Sequence, residues 1–575
     1  MEKMEVRLES IPTAFTVGVR LMFQGMDVES YYEGWYHGPN KDRRFPESRV
    51  QMSRELCTLD EFYEELFRRH GDGPAIRFRG EITTYADLDA QSAKLASAFH
   101  SLGLNESDRV AILMGNRPEF LLTEIAAARA NVTTVPLNNQ LSDEECEYIL
   151  TDSAPDVLVV GPAFFDTVRD LQQRSLDCKH VIGLDSDSSL PIGFHSFEGV
   201  LAKAPSGLPV IRSSADDVAT IFYTGGTTGE QKGTLHTHES IILNLYSHVY
   251  ELEVRKGETG LLVTPLSHSA GYFAKTILMQ GGTVVLDQKF DPETTLERIE
   301  TDRISWLYLT PTMIAELLDQ SAVADADTGA LDTLVYGSAP IPTSRLKEGL
   351  DALGSVFVQF YGLTEVPNLV AVLPKSKHST QNTEWLQSNG IPAQLANITL
   401  LDFGNEYDKW GDDIGEVGVQ SPYAMTGYTD DDLTAPRSDS KWIRTGDIGR
   451  IDDNGRLFVL DRIQNAIVSD DQLVYSTEVE SVIQSHPTVR EVAVIGVPKR
   501  SADSLSDATF HKSEQDVKAV LSIADGELLE LDELQEFCRE RLDPPAVPDS
   551  VDTVGTLPQT PYGKVDKKLL REPYW

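Results

Sequence analysis

Nine consecutive residues, Thr224-Gly225-Gly226-Thr227-Thr228-Gly229-Glu230-Gln231-Lys232, form the stretch of this chain best suited to chemistry. Glycines admit positive φ and close backbone approach, so successive N–H groups can converge on one anion. The threonine hydroxyls add donors and Lys232 adds a mobile positive charge, a combination that suits a polyphosphate. This is not a Walker loop, because Gln231 precedes Lys232 and Gly233 follows it where that motif requires Gly-Lys-Ser/Thr. Taken alone, the stretch also reads as a flexible Gly/Thr connection. A phosphate loop needs a rigid lead-in, and the apolar residues 218–222 read as a strand that supplies one.

Other strand-like runs end in similar turns. Residues 334–337 stop at Ser338-Ala339-Pro340, and residues 356–360 stop at Tyr361-Gly362-Leu363-Thr364-Glu365. Ligands of open α/β sheets sit at the carboxyl ends of strands, so the glycine-containing turns at 225–229, 337–340 and 361–365 point to one crevice. A further turn, Pro265-Leu266-Ser267-His268, follows the strand expected at 261–264. His236 and His238, two residues apart just after the loop, allow a metal pair as a minor reading.

The elements that must position these turns alternate. Leu59, Phe62, Leu66 and Phe67 have helical spacing; strands are expected at 75–78, 110–114, 132–136, 156–160 and 180–184, with helices at 85–102 and 119–130. A second set has strands at 261–264, 282–286, 306–309, 334–337 and 356–360 and a helix at 292–301. Such alternation predicts parallel, doubly wound sheets. Between 390 and 461 the helical signal fades and short strands at 415–419 and 456–460 suggest a small barrel. Beyond 461 come helices at 476–485 and 531–542 and strands at 492–496 and 517–523. The expected architecture is α/β: a large domain over 58–461, built of two doubly wound sheet subdomains and a small β-barrel, then a small mobile α+β C-terminal domain over 462–575. Residues 1–57, rich in Tyr31, Tyr32, Trp35 and Tyr36, form an extension without an assigned role.

At 575 residues and 41% hydrophobic content, the chain can build about three to four well-buried domains. Ninety acidic residues face 50 basic ones, a net charge of −40. The excess is spread along the chain, as at Asp185, Asp187 and Asp430-Asp431-Asp432. Apolar content is too high for a disordered acidic protein. Self-repulsion of this size destabilises a fold in dilute salt, and near molar salt, where the Debye length is about 3 Å, the penalty largely vanishes. The surface therefore reads as halophilic and excludes nucleic acid or an anionic membrane as the main partner. Cys57, Cys146, Cys178 and Cys538 match no metal or redox spacing and read as core residues of a reducing compartment. With no long apolar run and no signal-peptide pattern, a cytoplasmic protein without stable membrane insertion is expected.

Five motifs in order resemble those of the adenylate-forming superfamily of acyl-CoA synthetases, peptide-synthetase adenylation domains and luciferases. They span roughly residues 58–575. Residues 223–233 resemble the family's phosphate loop, Tyr361-Gly362-Leu363-Thr364-Glu365 its adenine and magnesium motif, and the Thr445-Gly446-Asp447 ending its ribose motif. Asp461-Arg462 resembles the opening of its hinge motif, and the segment ending at Lys564 resembles the one that carries its catalytic lysine. The resemblance implies that Lys564, Glu365, Thr224 and His268 take part in the reaction. It also implies nucleotide contacts from Thr224, Gly225, Gly226, Thr227, Thr228, Gly229, Lys232, Ser338, Ala339, Pro340, Gln359, Tyr361, Gly362, Thr364, Asp447, Arg462 and Lys564, with Glu365 on Mg2+.

Each assignment has a chemical reason. Attack of a carboxylate on the α-phosphorus of ATP needs positioning and charge neutralisation and little else. Glu365 is a hard oxygen ligand suited to Mg2+, and otherwise a first-turn helix carboxylate. Asp447 can accept from both ribose hydroxyls, and is otherwise a turn aspartate after glycine. Tyr361 offers adenine a flat face, Lys564 a cation for the substrate carboxylate, and His268 resembles the family's acyl-pocket histidine, although a core histidine would look the same.

The implied enzyme is an AMP-forming acid–thiol ligase that uses ATP, Mg2+ and CoA, with a homodimer as the oligomer to test for. The Gly225-Gly226 pair is similar to long-chain fatty acyl-CoA synthetases, and small Ser269-Ala270-Gly271 leaves room for an acyl chain, so a fatty acid is the expected substrate. Tyr336, where many relatives carry a small residue, is expected to shorten or reroute that pocket. The hinge motif departs from the family: Asp461-Arg462-Ile463-Gln464-Asn465 is followed by Ser469-Asp470-Asp471 where relatives have glycines lining the thiol path. Transfer to a carrier protein or another nucleophile is therefore an alternative. A degenerate, non-catalytic ligand-binding relative is a third reading, against which intact Lys232, Glu365, Asp447 and Lys564 weigh.

Overall fold

Seven strands form one sheet, in the order Phe194–Ser196, His180–Gly183, Val157–Val160, Arg109–Leu113, Thr133–Pro136, Val218–Tyr223 and Gly233–Thr237. All pair in parallel except the last two, which form an antiparallel hairpin. This computed structural model describes residues 58–185, 189–205, 213–225, 231–403, 413–429, 442–470, 472–499, 514–523, 527–560 and 564–575. The extension 1–57 with Cys57, the loop residues Gly226, Thr227, Thr228 and Gly229, and Asp187, Asp430-Asp431-Asp432 and Asp471 lie outside the described residues.

A second sheet has nine strands, in the order Ile391–Pro392, Val366–Leu373, Phe357–Leu363, Thr333–Tyr336, Trp306–Leu309, Thr259–Leu262, Thr283–Leu286, Pro74–Phe78 and Glu81–Thr84. From Phe357–Leu363 to Pro74–Phe78 the pairing is parallel, and both edges are antiparallel. Runs such as Val157-Leu158-Val159-Val160 and Trp306-Leu307-Tyr308-Leu309 are buried at every position, as strands covered on both faces must be.

Local signals start the helices where the sheets need them. Thr84 and Asp87 make a reciprocal capping box for Tyr85–Ser101, and Ser142 and Glu145 do the same for Asp143–Ser153. Pro118, Pro292 and Pro311 open Pro118–Arg129, Pro292–Thr301 and Pro311–Leu318, where a missing N–H costs nothing.

Where a small barrel is expected, Asn397–Leu401, Ile414–Gln420, Ile443–Ile451 and Leu457–Arg462 run as a four-stranded antiparallel meander. The outer edge of its last strand turns to other partners: Leu457 N–H donates to Gly390 O at 2.8 Å and Val459 N–H to Asn389 Oδ1 at 2.9 Å. The C-terminal part packs helices Ser476–Gln484 and Leu531–Arg539 with a three-stranded sheet, Val489–Pro498, Gln515–Ile523 and Ser550–Thr553. Cys146, Cys178 and Cys538 are free thiols, and burial pushes them up to about 12, 11 and 11. Among the described residues no helix is long and apolar enough to cross a membrane.

Candidate active site

The neck of the Gly/Thr loop is a hairpin end. Val218–Tyr223 and Gly233–Thr237 pair antiparallel, Thr224 N–H donates to Lys232 O at 2.9 Å, and Lys232 N–H donates back to Thr224 Oγ1 at 3.1 Å. The loop therefore joins two strands, whereas a Walker loop joins a strand to a helix. Tyr223 is pinned by its hydroxyl to Asp152 Oδ2 at 2.5 Å, and buried Gln231 donates to Glu145 Oε1 at 3.2 Å. Between these anchors Lys232 is left exposed.

Facing the neck is a second hairpin that sequence reasoning reads only as a turn. Phe357–Leu363 continues through Tyr361 and Gly362 and folds back as Val366–Leu373, leaving Thr364 and Glu365 at the tip. A β-carbon on Gly362 would lie 2.4 Å from the Asn368 carbonyl carbon, so only glycine fits where the two strands pinch. His236 Nε2 bonds Thr364 O at 3.1 Å. His238 Nδ1 accepts from Leu59 N–H at 3.1 Å instead. The two histidines thus serve different segments, both are lowered to about 4 by burial, and no metal-ligand cluster exists among the described residues. The metal-pair reading of His236 and His238 is corrected: both act as buried structural hydrogen-bonding groups.

Tyr428, which no sequence signal marked, joins the two hairpins. Thr426 N–H bonds Leu235 O, Leu235 N–H bonds Gly427 O and Thr429 N–H bonds Gly233 O, which seats the 426–429 segment against the strand after the loop. From there the Tyr428 hydroxyl donates to Glu365 Oε1 at 2.9 Å, and the Lys232 ammonium lies 5.3 Å from its ring centroid.

A second cluster forms around Asp447. Its Oδ2 accepts from the Tyr361 hydroxyl at 2.5 Å, and its Oδ1 is 2.5 Å from Arg462 Nε. Burial raises the Asp447 carboxyl above its ordinary range, and Arg462 and then Tyr361 pull it back. Lys564 lies within electrostatic reach of this cluster: its side chain keeps access to solvent, while loss of hydration to the protein around it and the Arg462 charge lower it to about 8 against the pull of Asp447. Burial first and then the Lys564 charge lower His268 to about 4. Residues far apart in sequence, His268, Tyr361, Asp447, Arg462 and Lys564, therefore act on one another. Gln359 is buried in its strand, while Ser338, Ala339 and Pro340 are exposed at the end of Thr333–Tyr336. Ser338 adopts φ 69°, a left-handed conformation that a serine rarely takes outside a constrained turn.

The turn carrying His268 is set by Asn116, also unmarked in sequence. Asn116 is buried just after Arg109–Leu113 of the first sheet. Its amide donates to Thr264 O at 2.8 Å and Asp287 O at 2.9 Å and accepts from Leu266 N–H at 3.0 Å, so one side chain ties three strand ends across the two sheets. After the turn, Ser269 donates to Asn368 Oδ1 at 2.7 Å.

Gly271 and Tyr336 have packing roles that bear on the expected acyl pocket. Gly271 leaves no free space, because a β-carbon there would lie 2.2 Å from Leu266 O; its smallness lets helix Ser269–Met279 sit on the turn. Tyr336 cannot shorten a pocket beside that helix. It packs with Leu307, Leu309 and Leu334 on one face of the sheet, while Phe273 of the helix meets Trp306 and Tyr308 on the other. Its hydroxyl bonds His378 Nε2 at 2.9 Å.

Asp461 and Asp470, expected to belong to a hinge motif, have defined partners. Asp461 Oδ2 accepts from Ser476 N–H and Oγ, both at 2.6 Å, and Ser476 Oγ is 2.7 Å from Lys567 Nζ. Asp470, at the hairpin between Ile467–Ser469 and Gln472–Val474, has φ 49° and pairs with Lys499 Nζ at 3.1 Å. Lys499 thus sets a positive charge against Asp470, shared with Glu514 at 3.7 Å.

A family model of AMP-binding enzymes matches residues 63–429, and one of the AMP-binding enzyme C-terminal domain matches residues 478–564. A feruloyl-CoA synthase of Amycolatopsis sp is 33% identical over 500 residues, 86% of this chain and 95% of that protein. The medium/long-chain-fatty-acid–CoA ligase FadD8 of Mycobacterium tuberculosis is 30% identical over 516 residues, 88% of either chain. Among solved structures, the amide bond synthetase McbA of Marinactinospora thermotolerans superposes with a TM-score of 0.78 at 28% identity, covering 90% of this chain and all of that one.

Proposed function

This chain belongs to the AMP-binding enzyme family, and from that premise we propose that it activates a monocarboxylic acid with an apolar tail, a fatty acid in the first place, and passes the acyl group to CoA. The observation that carries the reading is the cluster of Tyr361, Asp447 and Arg462, with Lys564 in electrostatic reach of Asp447, Arg462 and His268, beside the hairpin whose tip holds Glu365, which Tyr428 links to Lys232. In the first half-reaction a carboxylate oxygen attacks the α-phosphorus, an acyl–phosphate bond forms and the bond to pyrophosphate breaks. Lys564 neutralises charge on the reacting oxygens, Lys232 that on the polyphosphate, and the Asp447 carboxylate orients the ribose. The donor set suits Mg2+, since Glu365 offers a hard carboxylate near a phosphate-binding neck; when bound, the ion would neutralise phosphate charge there. In the second half-reaction the thiol sulfur attacks the acyl carbon and AMP leaves.

An apolar acid is favoured by helix Ser269–Met279. Its one cation, Lys275, is buried and held by Glu124 at 2.9 Å, so it is not available to a second carboxylate. The domain boundary is proposed at Asp461–Arg462, with 58–461 as the nucleotide-binding part and 462–575 as the smaller part that brings Lys564. A cytoplasmic location and a halophilic host belong to the same proposal. The test is ATP–pyrophosphate exchange at high salt with a panel of fatty acids, ferulate and a dicarboxylic acid, then thioester analysis with and without CoA. Exchange with fatty acids and CoA-dependent thioester are expected. Exchange without thioester would move the reading to a carrier protein or other acceptor, and no exchange with any acid would end it.

A further inference from the structure

The geometry points to Tyr428 as a positioning residue that sets the Glu365 carboxylate and the Lys232 ammonium on opposite sides of the bound polyphosphate. The inference rests on the adenylation reading and adds to it a residue from neither hairpin. Three observations carry it. The Tyr428 hydroxyl donates to Glu365 Oε1 at 2.9 Å, so one carboxylate oxygen is held and this bond leaves the other unused. Lys232 Nζ lies 5.3 Å from the centroid of the same ring, which offers the ammonium an attractive face without neutralising it. The tyrosine itself is held by the backbone: Thr234 and Tyr428 form a β-bridge, and hydrogen bonds from Thr426 to Leu235 and from Thr429 to Gly233 flank it.

This arrangement solves a problem of opposite charges. Glu365 and Lys232 would otherwise be free to form an ion pair with each other, which would close the place that phosphate and a divalent cation must enter. A neutral phenol between them satisfies each through a different part of the ring and keeps both charges available. Groups that hold a metal-binding carboxylate by hydrogen bond commonly affect metal affinity by about 10- to 100-fold.

Tyr428→Phe keeps the ring and loses the donor to Glu365, whereas Tyr428→Leu loses both. Nucleotide binding is measured by calorimetry with ATP in EDTA and with ATP at graded Mg2+, alongside pyrophosphate exchange. For Tyr428→Phe the expected result is unchanged ATP binding in EDTA, with half-saturating Mg2+ raised by about 10-fold. For Tyr428→Leu, ATP binding in EDTA should weaken as well, by about 3- to 10-fold, through the lost cation–π contact. In a Glu365→Gln background Tyr428→Phe should add no further Mg2+ shift, because the hydrogen bond then holds no ligand. An unchanged Mg2+ requirement in Tyr428→Phe overturns the proposal, as does an equal shift in the Glu365→Gln background. A parallel fall in thermal stability and in all binding would also overturn it, by showing a purely structural role. Absence of ATP binding by the parent protein in EDTA and in Mg2+ alike would instead reject the adenylation reading itself.

Discussion

Asp447 Oδ1 lies 2.5 Å from Arg462 Nε, and this pair links the middle of strand Ile443–Ile451 to the last residue of Leu457–Arg462, which lies directly opposite it in register. Both residues also act on Lys564, in opposite senses: the Arg462 charge lowers the lysine and the Asp447 charge raises it, and with burial the balance lies near 8.

That balance makes a pH prediction. Lys564 must be protonated to neutralise the reacting oxygens, so kcat/KM for adenylation should hold steady below about 8 and fall as pH rises through it. Asp447→Asn removes the charge that favours the ammonium, and the falling limb should move to lower pH. Arg462→Gln removes the charge that opposes it, and the limb should move up. The position of the limb is the readout, whatever the height of the profile; limbs that stay in place in both variants would show that another group titrates.

Asn116 gives a test of the His268 turn. Asn116→Ala leaves buried Leu266 N–H without its acceptor and Thr264 O and Asp287 O without that donor. An unsatisfied buried group costs about 1–3 kcal/mol, so the denaturation midpoint should drop. KM for the acid should rise while KM for ATP changes little, because the turn carries His268 and not the phosphate loop. A rise confined to ATP would place Asn116 in the wrong half of the site.

Much of the frame was legible in the residues. The helix Pro292–Thr301 has the bounds its proline and spacing announce, and fully apolar runs such as 157–160 and 306–309 are the covered parallel strands they resemble. What could not be read were the antiparallel partners. Gly233–Thr237 and Val366–Leu373 are buried at every position and so show no alternation of period two, although they turn two loops into hairpins. Tyr428 and Asn116 were missed for a related reason, since each owes its role to segments distant in sequence and neither lies in a motif. The face that Tyr336 takes could not be read because the strand fixes only its alternation with Val335, and which face the helix Ser269–Met279 covers is decided by the whole sheet. The roles proposed for Lys232, Glu365, Asp447 and Lys564 rest on residue type and motif order.

Asp470 bears on the acceptor. Because Lys499 already faces it at 3.1 Å, Asp470→Gly should leave transfer to CoA within about threefold, as expected for an exposed pair. Lys499→Ala should slow transfer, and more so in dilute salt, by uncovering the carboxylate. The measurement is thioester formed from preformed acyl-adenylate. An order-of-magnitude acceleration in Asp470→Gly would show that the aspartate opposes the thiol in spite of its partner.

The net charge of −40 predicts a salt requirement. The unfolding temperature should climb steadily from about 0.1 M to molar KCl as the Debye length falls from roughly 10 Å to 3 Å. A melting temperature independent of KCl over that range would contradict the halophilic reading.

The most direct test of the account is Lys564. If Lys564 stabilises charge on the oxygens reacting at the α-phosphorus, Lys564→Ala should slow acid-dependent ATP–pyrophosphate exchange by about two to three orders of magnitude, the usual cost of losing one such donor. ATP binding measured on the same variant should change far less. Exchange at the parental rate in Lys564→Ala would contradict the account, since the electrostatic link of Lys564 with Asp447, Arg462 and His268 would then have no part in the reaction.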